Sequence, residues 1–320
     1  MQKSVNDAAR PLALRMGGTE WALLVVQSML WGSAFFFAEL AIPELPPLTI
    51  TAFRLLPATL IVFTVCFALG ARLPATLGEW RRFIMFSSLN NVGPFLLILW
   101  AQREVSGGVA AIFNSTAPLF GVFLAHALTH DEKISAAKLA GISTGIIGVA
   151  VLVGADVFTG SAHATLAKLA LLAAALCYAL SGVVVRLHFR QYGPYTMAAG
   201  QMAGALMITM PLALLIEHPF ALPMPSGTAI GAVAGMGLFS SALAALCYFN
   251  LLHRAGATNA LLATILLPLT PIGLGAVFLG ELLSAREVIG ALIIGAALIM
   301  IDGRMFRRWQ ARPRDRDQCA

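Results

Sequence analysis

Apolar runs of about twenty residues, each ended by a Gly, a Pro or a charge, recur from one end of this 320-residue chain to the other. A helix needs about 20 such residues to cross the hydrocarbon core of a bilayer. The runs read as ten spans, at 21–41, 48–69, 83–101, 106–128, 136–154, 166–187, 195–216, 228–250, 257–279 and 286–303. Their linkers hold only a handful of residues, which leaves no room for a separate soluble domain. The alternating strands of about ten residues that mark an outer-membrane barrel are absent. The expected fold is therefore an all-α membrane protein of ten transmembrane helices.

Composition agrees, with 59% hydrophobic and 11% charged residues and a mean hydropathy of +0.83. Lys3, Arg10 and Arg15 precede the first run, but that run is too long for a signal-peptide core and lacks a small-residue cleavage site, so it is expected to remain as a span. With the N-terminus in the cytoplasm, only Arg103, Lys168 and Arg286 of the 21 Lys and Arg fall on the opposite side, and Arg54 lies within a span. The positive-inside rule then puts both termini in the cytoplasm of a multi-pass protein, expected in the cell inner membrane. The basic tail "RMFRRWQARPRDR" follows the last span and is expected to meet anionic headgroups rather than nucleic acid. Cys66, Cys177 and Cys247 fall in spans and Cys319 in the tail, so no disulfide framework is implied.

The chain also repeats itself. A shift of 147 residues lays "PLTITAFRLLPATLI" (47–61) on "PYTMAAGQMAGALMI" (194–208), and a shift of 149 lays "DEKISAAKLAG" (131–141) on "GELLSAREVIG" (280–290). Two halves of five spans follow, over 1–154 and 155–303, with a tail at 304–320. Because five is odd, the second half enters the membrane from the other side, and inverted repeats let two similar halves exchange conformations. Ser284 and Glu287 fit a capping box at the last span. Glu132 and Glu281 stand just before helix starts, as helix-terminus groups or as a gating pair.

These junction motifs, the Trp-Gly pair of "SMLWGSAFF" and the arginine of "AFRLLPA" together resemble the EamA-type transporters of the drug/metabolite transporter superfamily, over about residues 20–303. The resemblance implies export of amino acids or other small metabolites without ATP, through a central cavity between the halves. One departure from internal symmetry is Gln201, which occupies the position matching Arg54.

Candidate site residues come from broken helices. Proline lacks an N–H, so Pro118 leaves the carbonyl of Asn114 without its usual partner, as Pro94 does for Asn90 and Pro268 for Thr264. Freed polar groups are tolerated in a membrane where they face protein or a wet cavity. Either the kinks are repaired locally, or Asn90, Asn91, Asn114, Ser115, Ser181 and Thr264 line a substrate cavity. Pro57 and Pro211, preceded at that spacing by Phe53 and Met207, read as plain kinks. Trp31, Tyr178 and Tyr248 lie away from the interfaces where belt aromatics gather, either packing between helices or stacking on a substrate, and Tyr178 aligns with Trp31. Trp100 is close enough to its span end to serve in the belt instead. Arg54 has two readings: an ion pair with Glu39 or Glu44, or recognition of a substrate carboxylate or gating.

No Asp or Glu occurs near the middle of any span, so the buried carboxylate relay of a proton-driven transporter is missing. A facilitator, or coupling through mouth residues such as Glu39, stays open. His126, His130 and Asp131 mark an ordinary helix exit rather than a catalytic or metal site, and no phosphate-binding loop is present. The expected function is secondary export of small amphipathic metabolites, amino acids foremost and aromatic or hydrophobic ones among them, by alternating access. The alternative is a membrane-embedded enzyme or receptor-like module, which needs a convergent titratable cluster at one face. No catalytic residue, metal or cofactor is expected. The expected partners are the bilayer and a small-molecule substrate, with a monomer sufficing and no nucleic acid.

Overall fold

The computed structural model describes residues 17–128, 136–154, 162–255 and 263–302, and every regular element among them is helical. In chain order these are α1 (Gly18–Ala41), α2 (Pro47–Ala68), α3 (Leu77–Ser87), α4 (Gly93–Ala101), α5 (Gly107–Asn114), α6 (Ala117–Leu128) and α7 (Ala136–Val153). Then follow α8 (Ala162–His188), α9 (Pro194–Leu212), α10 (Gly227–Gly235), α11 (Ala244–Ala255), α12 (Ala263–Leu266), α13 (Leu269–Leu274) and α14 (Ala285–Asp302). Wider π turns join or extend several of them, at Ser88–Val92, Ala213–Glu217, Met236–Leu243 and Gly275–Leu279. Lys3, Arg10, Arg15, His130, Asp131, Glu132 and the tail 304–320 lie outside the described residues.

Among the described residues, seven rods are long and apolar enough to cross a bilayer: Gly18–Ala41, Pro47–Ala68, Leu77–Ala101, Gly107–Leu128, Ala162–His188, Pro194–Glu217 and Gly227–Tyr248. Of the ten runs expected, those at Leu139–Val153 and Ala263–Leu279 give shorter apolar helices, and α14 carries Arg286, Glu287 and Asp302 within its 18 residues. Leu60, Phe67, Leu215, Val277 and Leu292 are each more than half exposed, a surface that water would not tolerate but lipid does. The described residues are those of an all-helical membrane protein.

Local sequence sets where the rods begin. Pro47 and Pro194 occupy the first turns of α2 and α9, where a missing N–H costs nothing. Ser106 and Ser226 accept from the backbone N–H groups of Val109 and Ala229 and so cap α5 and α10. Ser284 and Glu287 form the expected capping box of α14, with the Ser284 N–H donating to Glu287 Oε2 at 2.7 Å.

Small residues set how closely the rods approach. Along the α7–α14 contact, a Cβ added at Gly141 would stand 2.6 Å from Ile301 Cγ1, and one at Gly290 would stand 2.6 Å from Leu152 Cγ. These two contacts exchange under the 149-residue shift, which carries Gly141 to Gly290 and Leu152 to Ile301. The α2–α9 contact is lined by Ala58, Val62, Ala198, Ala199 and Met202, all buried. The largest buried cluster gathers around Ile112 and Phe113 of α5, with Leu171 and Ala174 of α8, and Trp31 and Tyr178 pack against it.

Candidate functional site

A π turn, Ser88–Val92, leads into Pro94. The N–H of Gly93 reaches the Ser88 carbonyl five residues back, which turns Asn90 and Asn91 toward neighbouring rods. Asn90 Nδ2 donates to Gln201 Oε1 at 2.9 Å, and Asn90 Oδ1 accepts from the Ser181 hydroxyl at 2.8 Å. That hydroxyl also stands 2.8 Å from the Tyr178 carbonyl. Asn91 Nδ2 is buried with no acceptor. One turn further on, Phe95 carries the guanidinium of Arg54 over its ring, with Cζ 3.5 Å from the centroid. Tyr178 is near enough to feel that charge. Arg54 and Gln201, equivalent in the sequence repeat, therefore flank the same segment, 88–95.

The second region is a crossing of two broken helices. Helical hydrogen bonding lapses between α5 and α6 at residues 115–116 and between α12 and α13 at 267–268. The Ser115 hydroxyl lies 3.0 Å from the Thr264 carbonyl and 3.1 Å from that of Ala111. Thr264 is the residue whose carbonyl Pro268 deprives of its usual partner, so a hydroxyl from the other half of the chain takes up that role. α1 lies hard against the crossing: a Cβ at Gly32 would stand 2.5 Å from the Leu267 carbonyl oxygen. Beside it Trp31 and Tyr248 pack at 5.4 Å between ring centroids. Asn114 Oδ1 is buried without a donor.

Neither expected acid pairs with Arg54, because helix N-termini claim them. Both Glu39 oxygens accept from the Gly107 N–H at 3.2 Å, and its carboxyl meets that of Glu281. Glu44 accepts from the backbone and hydroxyl of Ser226 at 2.6 Å, and those bonds, the hydroxyl's first, hold it below the usual carboxylate pKa. Glu217 accepts from the N–H groups of Leu48 and Thr49 and from the Thr49 hydroxyl. Unsatisfied donors at helix starts attract carboxylates for the same reason that helix dipoles do.

Trp100, near the end of α4, is 37% exposed. Sequence reasoning missed two participants and one further buried amide. Phe95, the platform for Arg54, looks like any apolar residue in its run. Gln201 was visible as the repeat counterpart of Arg54. Gln27, fully buried on α1 with neither amide atom partnered, was signalled by being a lone amide in an apolar run.

The model of the EamA-like transporter family matches this chain twice, over residues 19–154 and 165–302. The chain belongs to the EamA-like transporter family. Relatives of this EamA-like protein include an uncharacterized transporter, YoaV, of Bacillus subtilis, 23% identical over 87% of this chain and 94% of its own length. Protein PecM of Dickeya dadantii is 27% identical over 90% of this chain and 95% of its own. A probable terminal-alkyne amino-acid exporter of Streptantibioticus cattleyicolor is 24% identical over 92% and 97%. One solved crystal structure superposes with a TM-score of 0.64 at 19% identity, covering 92% of this EamA-like chain and 100% of its own, a likeness of fold alone.

Proposed function

We propose that this protein is a secondary transporter that exports small amphipathic metabolites, amino acids foremost, across the inner membrane by alternating access. On this reading ten spans form two inverted five-helix repeats, 1–154 and 155–303, with both termini and the basic tail in the cytoplasm. The observation that carries it is the crossing of two interrupted helices, where Ser115 holds the carbonyl of Thr264, its counterpart at a shift of 149 residues. Discontinuous helices from corresponding places in two halves are where transporters hold their substrates. The reciprocal contacts Gly141–Ile301 and Gly290–Leu152 support a two-fold relation between the halves. The double match to a transporter family favours transport over a membrane enzyme, and the relative named as an amino-acid exporter supports the substrate class.

The site then runs from Asn90, Asn91, Ser181 and Tyr178 to Trp31, Asn114, Ser115, Tyr248 and Thr264, with the unpartnered amide atoms of Asn91 and Asn114 fixing a solute, the other polar groups framing it and aromatic faces covering its apolar part. Purified protein in liposomes, each batch preloaded with one of the common L-amino acids, is expected to show saturable counterflow for a subset of them without ATP. Fluxes no greater than those of protein-free liposomes across the whole panel would sink the reading.

A further inference from the structure

We propose, building on the transport reading above, that Arg54 is the receptor for a carboxylate on the transported solute, so that the substrates are small anionic or zwitterionic acids.

Arg54 is 8% exposed in the outer half of α2. A guanidinium so placed is costly in a membrane unless something completes it, which makes an intramembrane arginine a mark of function. A structural ion pair is the ordinary completion. Here it does not form: Glu39, Glu44 and Glu217 are all committed to helix starts, and no carboxylate of the described residues pairs with Arg54. Little of the residue is open to solvent, and the π segment Met236–Leu243 packs on its backbone: a Cβ at Gly237 would stand 2.7 Å from the Arg54 carbonyl oxygen.

What Arg54 does have is one occupied face and an unfinished edge. Phe95 takes the face. Nε is buried with no acceptor. A ring beneath a guanidinium fixes its plane and leaves the coplanar N–H donors free, which is the geometry a carboxylate meets with two parallel bonds. Four residues before Phe95, the same segment holds a second such donor. Asn90 is used up by Gln201 and Ser181, whereas Asn91 keeps a buried, unpartnered Nδ2. Arg54 Nε and Asn91 Nδ2 are both donors waiting for an acceptor. A cationic or purely apolar solute would leave them unmet, and a carboxylate brings acceptors only.

The alternative is that Phe95 alone suffices and Arg54 only braces α2 against α4. Counterflow separates the two. For each L-amino acid that wild type carries, its amide and its decarboxylated amine are offered at equal concentration. Both are expected to compete at least about tenfold more weakly than the acid, the scale of a lost charge-assisted contact in a buried site. Arg54→Gln should remove that preference while the amide still competes, and Arg54→Lys should restore part of it. Equal competition by acid and amide in wild type, or an acid preference kept by a folded R54Q, overturns the carboxylate receptor and leaves the transport reading standing. Wild-type liposomes that carry none of the acids, amides or amines would remove both. If R54Q does not fold, wild type still answers: phenylglyoxal adducts at Arg54, measured by peptide mass, should form more slowly with the acid than with its amide, and equal rates refute the assignment.

Discussion

Asn114 stands one residue before the hydroxyl that bridges the two interrupted helices, and its Oδ1 is already buried without a donor. An unmet buried acceptor costs about 1–3 kcal/mol, so its retention needs a reason beyond the unliganded fold. Replacing it by leucine removes that cost rather than creating one. Asn114→Leu is therefore expected to keep or raise the melting temperature of the unliganded protein and to abolish the thermal shift given by whichever amino acid counterflow identifies. A lowered unliganded melting temperature with a normal shift would make Asn114 a structural repair residue. Ser115 differs because its hydroxyl is spent on Thr264 and Ala111.

At the scale of elements, the interrupted helices hold together because α1 can come close to them. Gly32 permits this: a methyl there would stand 2.5 Å from the Leu267 carbonyl oxygen and 2.8 Å from Thr270 Cβ. Gly231 of α10 is helical too, but a Cβ at that position meets nothing within 4 Å. Gly32→Ala is thus expected to destabilise by about 1–3 kcal/mol through overpacking. Gly231→Ala is expected to be neutral or to stabilise by up to about 1 kcal/mol through helix propensity. Thermal melts of the two variants in one detergent check the ordering, and equal melting temperatures would show that α1 yields without cost.

Across the whole molecule, one face is laced by carboxylates that each join the end of one rod to the start of another. Glu39 links α1 to α5, Glu44 links the α1–α2 turn to α10, and Glu217 links the turn after α9 to α2. Each link lets a carboxyl oxygen accept from the unsatisfied donors at a helix start. Glu44 is the accessible case, because its pKa is lowered from an ordinary value of 4.5 by its bonds to Ser226. A lowered folded-state value means that the contribution is present above about pH 4.5 and is lost as pH falls through the folded value. Glu44→Gln should melt slightly below wild type at pH 7, and the gap should close below pH 4.5. Melting curves taken across that range test this, and a gap that persists at low pH would assign the effect to something other than charge. The link is fully solvent-exposed, so the gap is small.

The sequence by itself determined that the chain is a helical membrane protein, because apolar length and the absence of charge within it are properties of a segment alone. It also located the interruptions at Pro94, Pro118 and Pro268, since a missing N–H is a covalent fact, and through Gln201 it marked where the two halves differ. Only the tertiary structure decided what stands at the interruptions of Pro94 and Pro268. A π turn runs up to Pro94, whereas a hydroxyl 149 residues away in the chain serves the carbonyl freed by Pro268. It decided as well that Glu39 and Glu44 cap helices instead of pairing with Arg54, and that Phe95 is that arginine's platform. A side chain's partner depends on which rods pack together and in what register, and a buried donor takes the nearest acceptor in space, which spacing along the chain does not encode.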